Sequence, residues 1–163
     1  MKKISLLVFV LLLGATSLFT ACLPEEDSLA SFQQAQIDEQ KILDYIELNN
    51  LDATKADAGF YYVVDSIGSA EKPDITSTVS MRYRGRFLNN EIFDTSFDQE
   101  TPVEFPLANL IQGWQLGIPI FGKGGKGTLL LPSDLAYGEA GQLTGGVPAH
   151  AVLIFDIELV NFY

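Results

Sequence analysis

Between residues 59 and 163 the apolar residues fall into short runs separated by turn residues, the texture of a compact antiparallel sheet. In STVSMRYRGRFL the period is two: Val79, Met81 and Tyr83 point to one side, Ser80, Arg82 and Arg84 to the other. That alternation predicts a strand with one buried face, and Gly85 within it predicts a bulge. GFYYVVDSI, PVEFPL and KGTLLLP give further short strands. HAVLIFDIELVNF closes the chain, with Leu153, Phe155, Ile157 and Leu159 on one face and Asp156 and Glu158 toward water. One stretch departs from the pattern. NLIQGWQLG, residues 109–117, holds Leu110, Ile111, the sole tryptophan Trp114 and Leu116 with no charge between them, and reads as one or two helical turns closed by Gly117. So few apolar positions cannot bury a helix alone, so it lies across the concave side of the sheet with Trp114 facing the strands. Upstream, SFQQ has the form of a capping box, with Ser31 as N-cap and Gln34 three residues on. It predicts a helix over residues 32–48, fraying at Asn49 and Asn50, with Ile42, Tyr45 and Ile46 as a narrow apolar stripe. The stripe suits either the main domain or a second copy of the chain.

Length and charge narrow the classes. The chain has 163 residues, 47% of them hydrophobic, enough for one domain with a real core plus an extension. Its formal net charge of −11 argues against nucleic acid, whose phosphates need Lys and Arg. The acid is spread along the chain, as solubility requires. The first residues, MKK, an apolar run over 4–13 and then FTAC ending at the single cysteine Cys22, have the layout of a targeting signal. FTAC resembles the lipobox of bacterial lipoproteins, with Phe19 in place of the usual leucine. The resemblance implies cleavage before Cys22, lipidation there, and anchoring to a bacterial membrane, the outer membrane facing the periplasm or the cell surface. Each buried methylene adds about 0.8 kcal/mol, and more than one acyl chain gives stable anchoring. The competing reading is an uncleaved anchor, since residues 4–21 are just long enough to span. LPEEDS follows as a polar tether; its acidic run resembles a surface-export signal of some Gram-negative lineages and equally suits a solvated linker. The expected division is a signal peptide over 1–21, a lipidated tether and helix over 22–57, and a catalytic domain over 58–163.

Covalent and metal chemistry find little support. GIPIFGKG, residues 117–124, has phosphate-loop spacing up to its lysine but Gly124 where Ser or Thr should bind magnesium, and it follows a helix and opens a strand, the reverse of a phosphate loop. One histidine, His150, and one cysteine leave no zinc cluster, no Cys/His pair and no Ser-His-Asp triad. His150 reads as a loop hydrogen-bonder. The expectation is a site with no metal and no cofactor.

YRGRFLNNEIFDTS, LIQGWQLGI, LPSDLAYG and VPAHAVLIFDIELV, in this order and spacing from about Thr76 to the C-terminus, resemble the FKBP-type peptidyl-prolyl cis-trans isomerases. The resemblance implies an α+β fold, a twisted antiparallel sheet wrapped around one short helix, here preceded by an N-terminal helix. It implies rotation about X-Pro bonds of proline-containing polypeptides folding outside the cytoplasm. Carried over position by position, Tyr83, Phe93, Asp94, Ile111, Trp114, Tyr137 and Phe155 match the family's catalytic pocket, and Phe105, Leu110, Val103 and Val147 its substrate-binding wall. In the family the amide at the position of Ile111 and the hydroxyl at Tyr137 hold ligand carbonyls, and Trp114 floors the proline pocket. Gln99 stands where an arginine often pairs with the aspartate, and Val103 where an aromatic is common. The loop GEAGQLTGG, with Leu143, is about one residue longer than the commonest form. Taken singly, Phe93, Phe105 and Phe155 read equally as core, and Asp94 as an Asx cap in FDTS. Two other classes compete: a membrane-tethered peptide-binding chaperone or interaction module with little turnover, and a scaffold that dimerises through the N-terminal helix. An isomerase has no need of that helix.

Overall fold

The computed structural model describes residues 26–163. The expected signal peptide and lipobox, with Cys22, lie outside the described residues. Twelve elements follow one another, among them α1 (Glu26–Leu48), β1 (Thr54–Lys55), β2 (Tyr61–Ser66), β3 (Thr78–Arg86), β4 (Ile92–Thr95), β5 (Val103–Pro106), α2 (Gln112–Gly117), β6 (Gly125–Leu131) and β7 (Leu153–Phe162), with 3-10 turns at Leu107–Asn109, Ile118–Ile120 and Ser133–Leu135. The strands form one antiparallel sheet in the order β1-β2-β6-β7-β3-β4, and β5 pairs with β3. The strands read from the alternating pattern are all present. β1 and β4 were not predicted, being two and four residues long, too short to show a period.

Two cross-strand rows organise the molecule. On the concave side, Leu129 of β6, Phe155 of β7, Gly85 of β3 and Asp94 of β4 stand opposite one another. On the convex side the row is Tyr61, Leu130, Ile154 and Arg86. The concave row belongs to the main core, with Val79, Met81, Trp114, Phe121 and Leu159. α2 presses onto it closely: a Cβ on Gly113 would come 2.5 Å from Leu131 Cδ1 and one on Gly117 2.6 Å from Leu129 Cδ1. Gly117 thus ends α2, as the sequence suggests, and is also a contact glycine. Its φ is −88°, and the chain runs on into the 3-10 turn at Ile118–Ile120.

The convex row is covered by α1. Ile42 and Tyr45 are buried against Tyr61, Leu130, Val152 and Ile154, with Ile46 and Leu51 packed on the same cluster. The predicted stripe thus docks on the chain's own domain. The helix ends as its asparagines suggest: Asn50 takes a left-handed φ of 51°, its N–H donates to Glu47 O at 3.2 Å, and Leu51 N–H donates to Ile46 O at 3.0 Å. This is a Schellman closure with its apolar contact between Leu51 and Ile46. The N-terminal prediction fails. The helix starts at Glu26, so Ser31 is no N-cap; its hydroxyl donates back to Ser28 O at 3.0 Å, and Gln34 Nε2 donates to Asp38 Oδ1 at 2.8 Å. The i to i+4 bond of Gln34 supports helix where the capping box predicted an end.

Coverage by α1 also corrects the outer face. Asp156, expected in water, is half-buried and held by the Arg86 fork (Nη2 to Oδ1 3.0 Å, Nε to Oδ2 3.2 Å) and by the Thr128 hydroxyl at 3.1 Å. Arg86 also donates to Tyr45 Oη and to Asn90 Oδ1, which ties the helix to β3 and β7. Ser80 is likewise buried, where β3 is flanked by β5 and β7 and its register with β7 slips.

Candidate active site

A cavity of about 180 Å³ opens on the concave side, lined by Tyr83, Phe93, Asp94, Phe105, Leu110, Ile111, Trp114, Tyr137 and Phe155. Nine of the eleven residues picked from sequence meet here. Val103 and Val147 do not line it. Val103 stands opposite Met81, two residues back along β5 from Phe105, and packs on the main core. Val147 is buried within that core, its backbone bridged to Gln142.

The floor is an edge-to-face aromatic cluster. Trp114 meets Tyr83 at 5.0 Å and 74° and Phe155 at 5.0 Å and 83°, while Phe93 stands on Phe155 at 5.8 Å and 84°. Such edge contacts hold rings in fixed orientation, each pair contributing about 0.5–1.5 kcal/mol beyond burial. Gly85 makes the arrangement possible. A Cβ there would lie 2.6 Å from Phe93 Cζ and 3.0 Å from Phe155 Cε1, so the two rings occupy the space a side chain would need. The predicted bulge is beside it: the β3–β4 register shifts between Gly85 and Arg86, leaving Phe93 as the extra residue. Phe87, not picked from sequence, backs Phe93 at 5.0 Å. Trp114 is 5% exposed, and its indole N–H has no hydrogen-bond partner among the described residues.

The polar groups sit at the rim. Tyr83 Oη donates to Asp94 Oδ2 at 2.7 Å. This tyrosine takes over the orienting role left open by Gln99, whose backbone carbonyl is engaged by Arg82 at 2.8 Å. Asp94 is no Asx cap; the turn is capped by Thr95, whose Oγ1 accepts the Phe97 N–H at 3.2 Å. Burial, and then the hydrogen bond to the Asp94 carboxylate, push the Tyr83 hydroxyl well above its usual 10, and burial with the charge of Asp94 raises Tyr137. Both hydroxyls therefore remain protonated donors at neutral pH. Ser96, missed from sequence, is fully buried, and its Oγ accepts the Tyr83 N–H at 2.9 Å, fixing the start of this pair.

Ile111 precedes α2 with φ −58° and ψ 151°. Its carbonyl accepts the N–H groups of Trp114 (2.9 Å) and Gln115 (3.1 Å), whereas its own N–H donates to no group among the described residues. The approach to it is locked by Gln115, whose Nε2 donates to Leu110 O at 2.7 Å and Ala108 O at 3.1 Å. No sequence signal marks Gln115, because a polar residue on a short helix usually faces water. At the tip of the loop between Gln142 and Val147, Leu143 is 96% exposed. His150 is a loop residue as expected, with φ 55° and its N–H on Gly138 O at 2.9 Å. Among the described residues no group of three or more His, Cys, Asp or Glu is placed to hold a metal, and no helix is long and apolar enough to cross a membrane.

The cavity is thus aromatic-floored, with one free amide donor and two neutral hydroxyls at its rim. The family model for the FKBP-type peptidyl-prolyl cis-trans isomerases matches residues 69–160. The chain belongs to this family. Among its curated relatives, the FKBP-type isomerase FkpA of Aeromonas hydrophila is 41% identical over 104 residues, covering 64% of this chain and 38% of that protein. FkpA of Escherichia coli K12 is 38% identical over 103 residues, covering 63% of this chain and 37% of its own. The chain thus spans well under half the length of these relatives. The crystal structure of FkpA from Escherichia coli aligns with a TM-score of 0.66 at 30% identity, covering 83% of this chain and 65% of that one. A peptidyl-prolyl cis-trans isomerase from Pseudomonas syringae pv. tomato aligns at 0.69 and 26% identity, covering 81% and 95%. The FKBP fold expected from sequence, sheet, short helix and preceding helix together, is the fold found.

Proposed function

We propose that the protein catalyses cis-trans isomerisation of X-Pro bonds in polypeptides outside the cytoplasm, in the cavity floored by Trp114. The observation that carries this is the pairing of an aromatic, nearly closed floor with a free Ile111 N–H at its edge. An X-Pro amide rotates over a barrier of about 20 kcal/mol because planarity gives its C–N bond double-bond character, while its cis and trans ends differ by only about 0.5–1 kcal/mol. As the amide twists it loses conjugation and carbonyl charge, so an apolar wall favours the twisted form over the hydrated planar one. The proline ring rests on Trp114 between Tyr83 and Phe155, and the Ile111 N–H and the Tyr137 hydroxyl hold carbonyls on either side of the rotating bond. Binding both ends selects a bent peptide near the transition geometry. No bond is broken and no cofactor is needed. Lipidation at Cys22 and residence on the outer membrane belong to the same proposal and rest on FTAC and the apolar run before it; the mass of the mature protein isolated from cells tests them, and an unmodified Cys22 would remove the anchor.

A protease-coupled assay on short X-Pro peptides tests the activity. The rate constant for exchange rises in proportion to added protein and is flat between about pH 6 and 9 as far as the tyrosines are concerned. Both are raised above 10, so their donor protons are lost only on the alkaline side. Peptide binding without acceleration would replace the enzyme with a chaperone or interaction module.

A further inference from the structure

We propose that Asp38, on the N-terminal helix, is a positioning residue for Tyr137, so that α1 is part of the catalytic apparatus rather than an appendage. This rests on the isomerase reading above. Asp38 is 1% exposed, one of few buried charged side chains in the structure. Its Oδ2 accepts the backbone N–H of Ser133 at 2.9 Å across 95 residues of sequence, while Gln34 Nε2 at 2.8 Å and Lys41 Nζ at 3.6 Å hold Oδ1. A buried carboxylate is costly unless its lone pairs are filled, so this geometry is tightly specified.

Ser133 opens the 3-10 turn that leads to the pocket. Its own carbonyl accepts the N–H groups of Ala136 (3.0 Å) and Gly138 (2.7 Å), the residues on either side of Tyr137. Gly138 O in turn accepts the His150 N–H at 2.9 Å. The peptide carrying Tyr137 is thus closed on Ser133 from both sides, and Ser133 is closed on α1 through Asp38. Among the described residues the Tyr137 side chain makes no hydrogen bond; its hydroxyl is aimed by the backbone that bears it and by the packing around it. Two consecutive hydrogen-bonded links, Asp38 to the Ser133 N–H and the Ser133 carbonyl to the N–H groups of Ala136 and Gly138, therefore join the helix to the backbone that bears the hydroxyl.

Three variants test this in the full-length protein. Asp38→Ala removes the acceptor, Asp38→Asn keeps an oxygen for the Ser133 N–H, and Ser133→Pro removes the donor from the other side. Proline suits that position, since Pro132 before it is already extended (φ −62°, ψ 158°). Each is checked for folding by circular dichroism. Asp38→Ala and Ser133→Pro are expected to lower kcat/KM on an X-Pro peptide about tenfold and Asp38→Asn less than about twofold. In a Tyr137→Phe background the Asp38→Ala effect disappears, because the loss runs through that hydroxyl. Wild-type kcat/KM in folded Asp38→Ala or Ser133→Pro, or a loss that adds in full to Tyr137→Phe, overturns the proposal. If the wild type shows no turnover, the isomerase reading fails separately. The NMR resonances of the 133–138 amides and the Tyr137 ring then decide: shifts in Asp38→Ala that Asp38→Asn lacks uphold the link, and unmoved resonances refute it. Should Asp38→Ala not fold, Ser133→Pro carries the same comparison.

Discussion

Trp114→Ala lowers kcat/KM for an X-Pro peptide by about 10²-fold while leaving the sheet intact. The size of the effect follows from what the indole does at once. In the proposed function it is the surface on which a proline ring rests, and its edges fix Tyr83 and Phe155, each 5.0 Å away. Removing it lets Tyr83 drift, and with it the hydroxyl that orients Asp94. Displacement of bound groups by about 1 Å is enough for a loss of this order. The same substitution also costs stability, about 3–5 kcal/mol for a buried Trp→Ala change, so turnover is read well below the thermal midpoint on protein shown to be folded. A folded variant with wild-type kcat/KM would mean that the cavity is core and nothing more.

Ile42→Ala has the largest expected effect on the docking of α1, a loss of about 3 kcal/mol of stability, seen as a fall of roughly 10 °C in the thermal midpoint. Ile42 is fully buried at the centre of the cluster that α1 forms with Tyr61, Leu130, Val152 and Ile154. Its loss leaves a cavity between helix and sheet that neither element can close, because Arg86, Tyr45 and Asp156 pin the helix where it lies. Leu48→Ala, at a position 82% exposed on the same helix, serves as the control and shifts stability by less than about 0.5 kcal/mol. Equal midpoints for the two variants would show that the helix is not docked as described. Without the helix the convex row Tyr61, Leu130 and Ile154 would face water.

What the sequence made readable, and what it hid, divides by the range of the forces involved. Period-two alternation exposed β3 and β7, because one face of each packs on a single core, and short apolar runs between turn residues exposed β2, β5 and β6. It misjudged Asp156 and Ser80, since alternation supposes one wet face and here α1 or flanking strands cover both. That α2 ends at Gly117 was readable, whereas that Gly117 also admits Leu129 depends on how β6 folds back under the helix. The aromatic pocket was legible through four motifs in register, whereas Ser96, Phe87 and Gln115 act on neighbours of the pocket and carry no pattern of their own. Val103 and Val147 were near misses of one layer, core residues beside the wall rather than in it. Asp38 was invisible, as its partner is a backbone N–H on the far side of the sequence.

The most direct measurement of the central claim is NMR exchange spectroscopy on an X-Pro peptide with catalytic amounts of the wild-type protein, followed by titration of the labelled protein with the same peptide. Cis-trans exchange peaks that are absent without protein are expected, together with shifts concentrated at the Ile111 amide, the Trp114 indole and the Tyr137 ring. Exchange no faster than in buffer, or acceleration with those three signals unmoved, would contradict the claim.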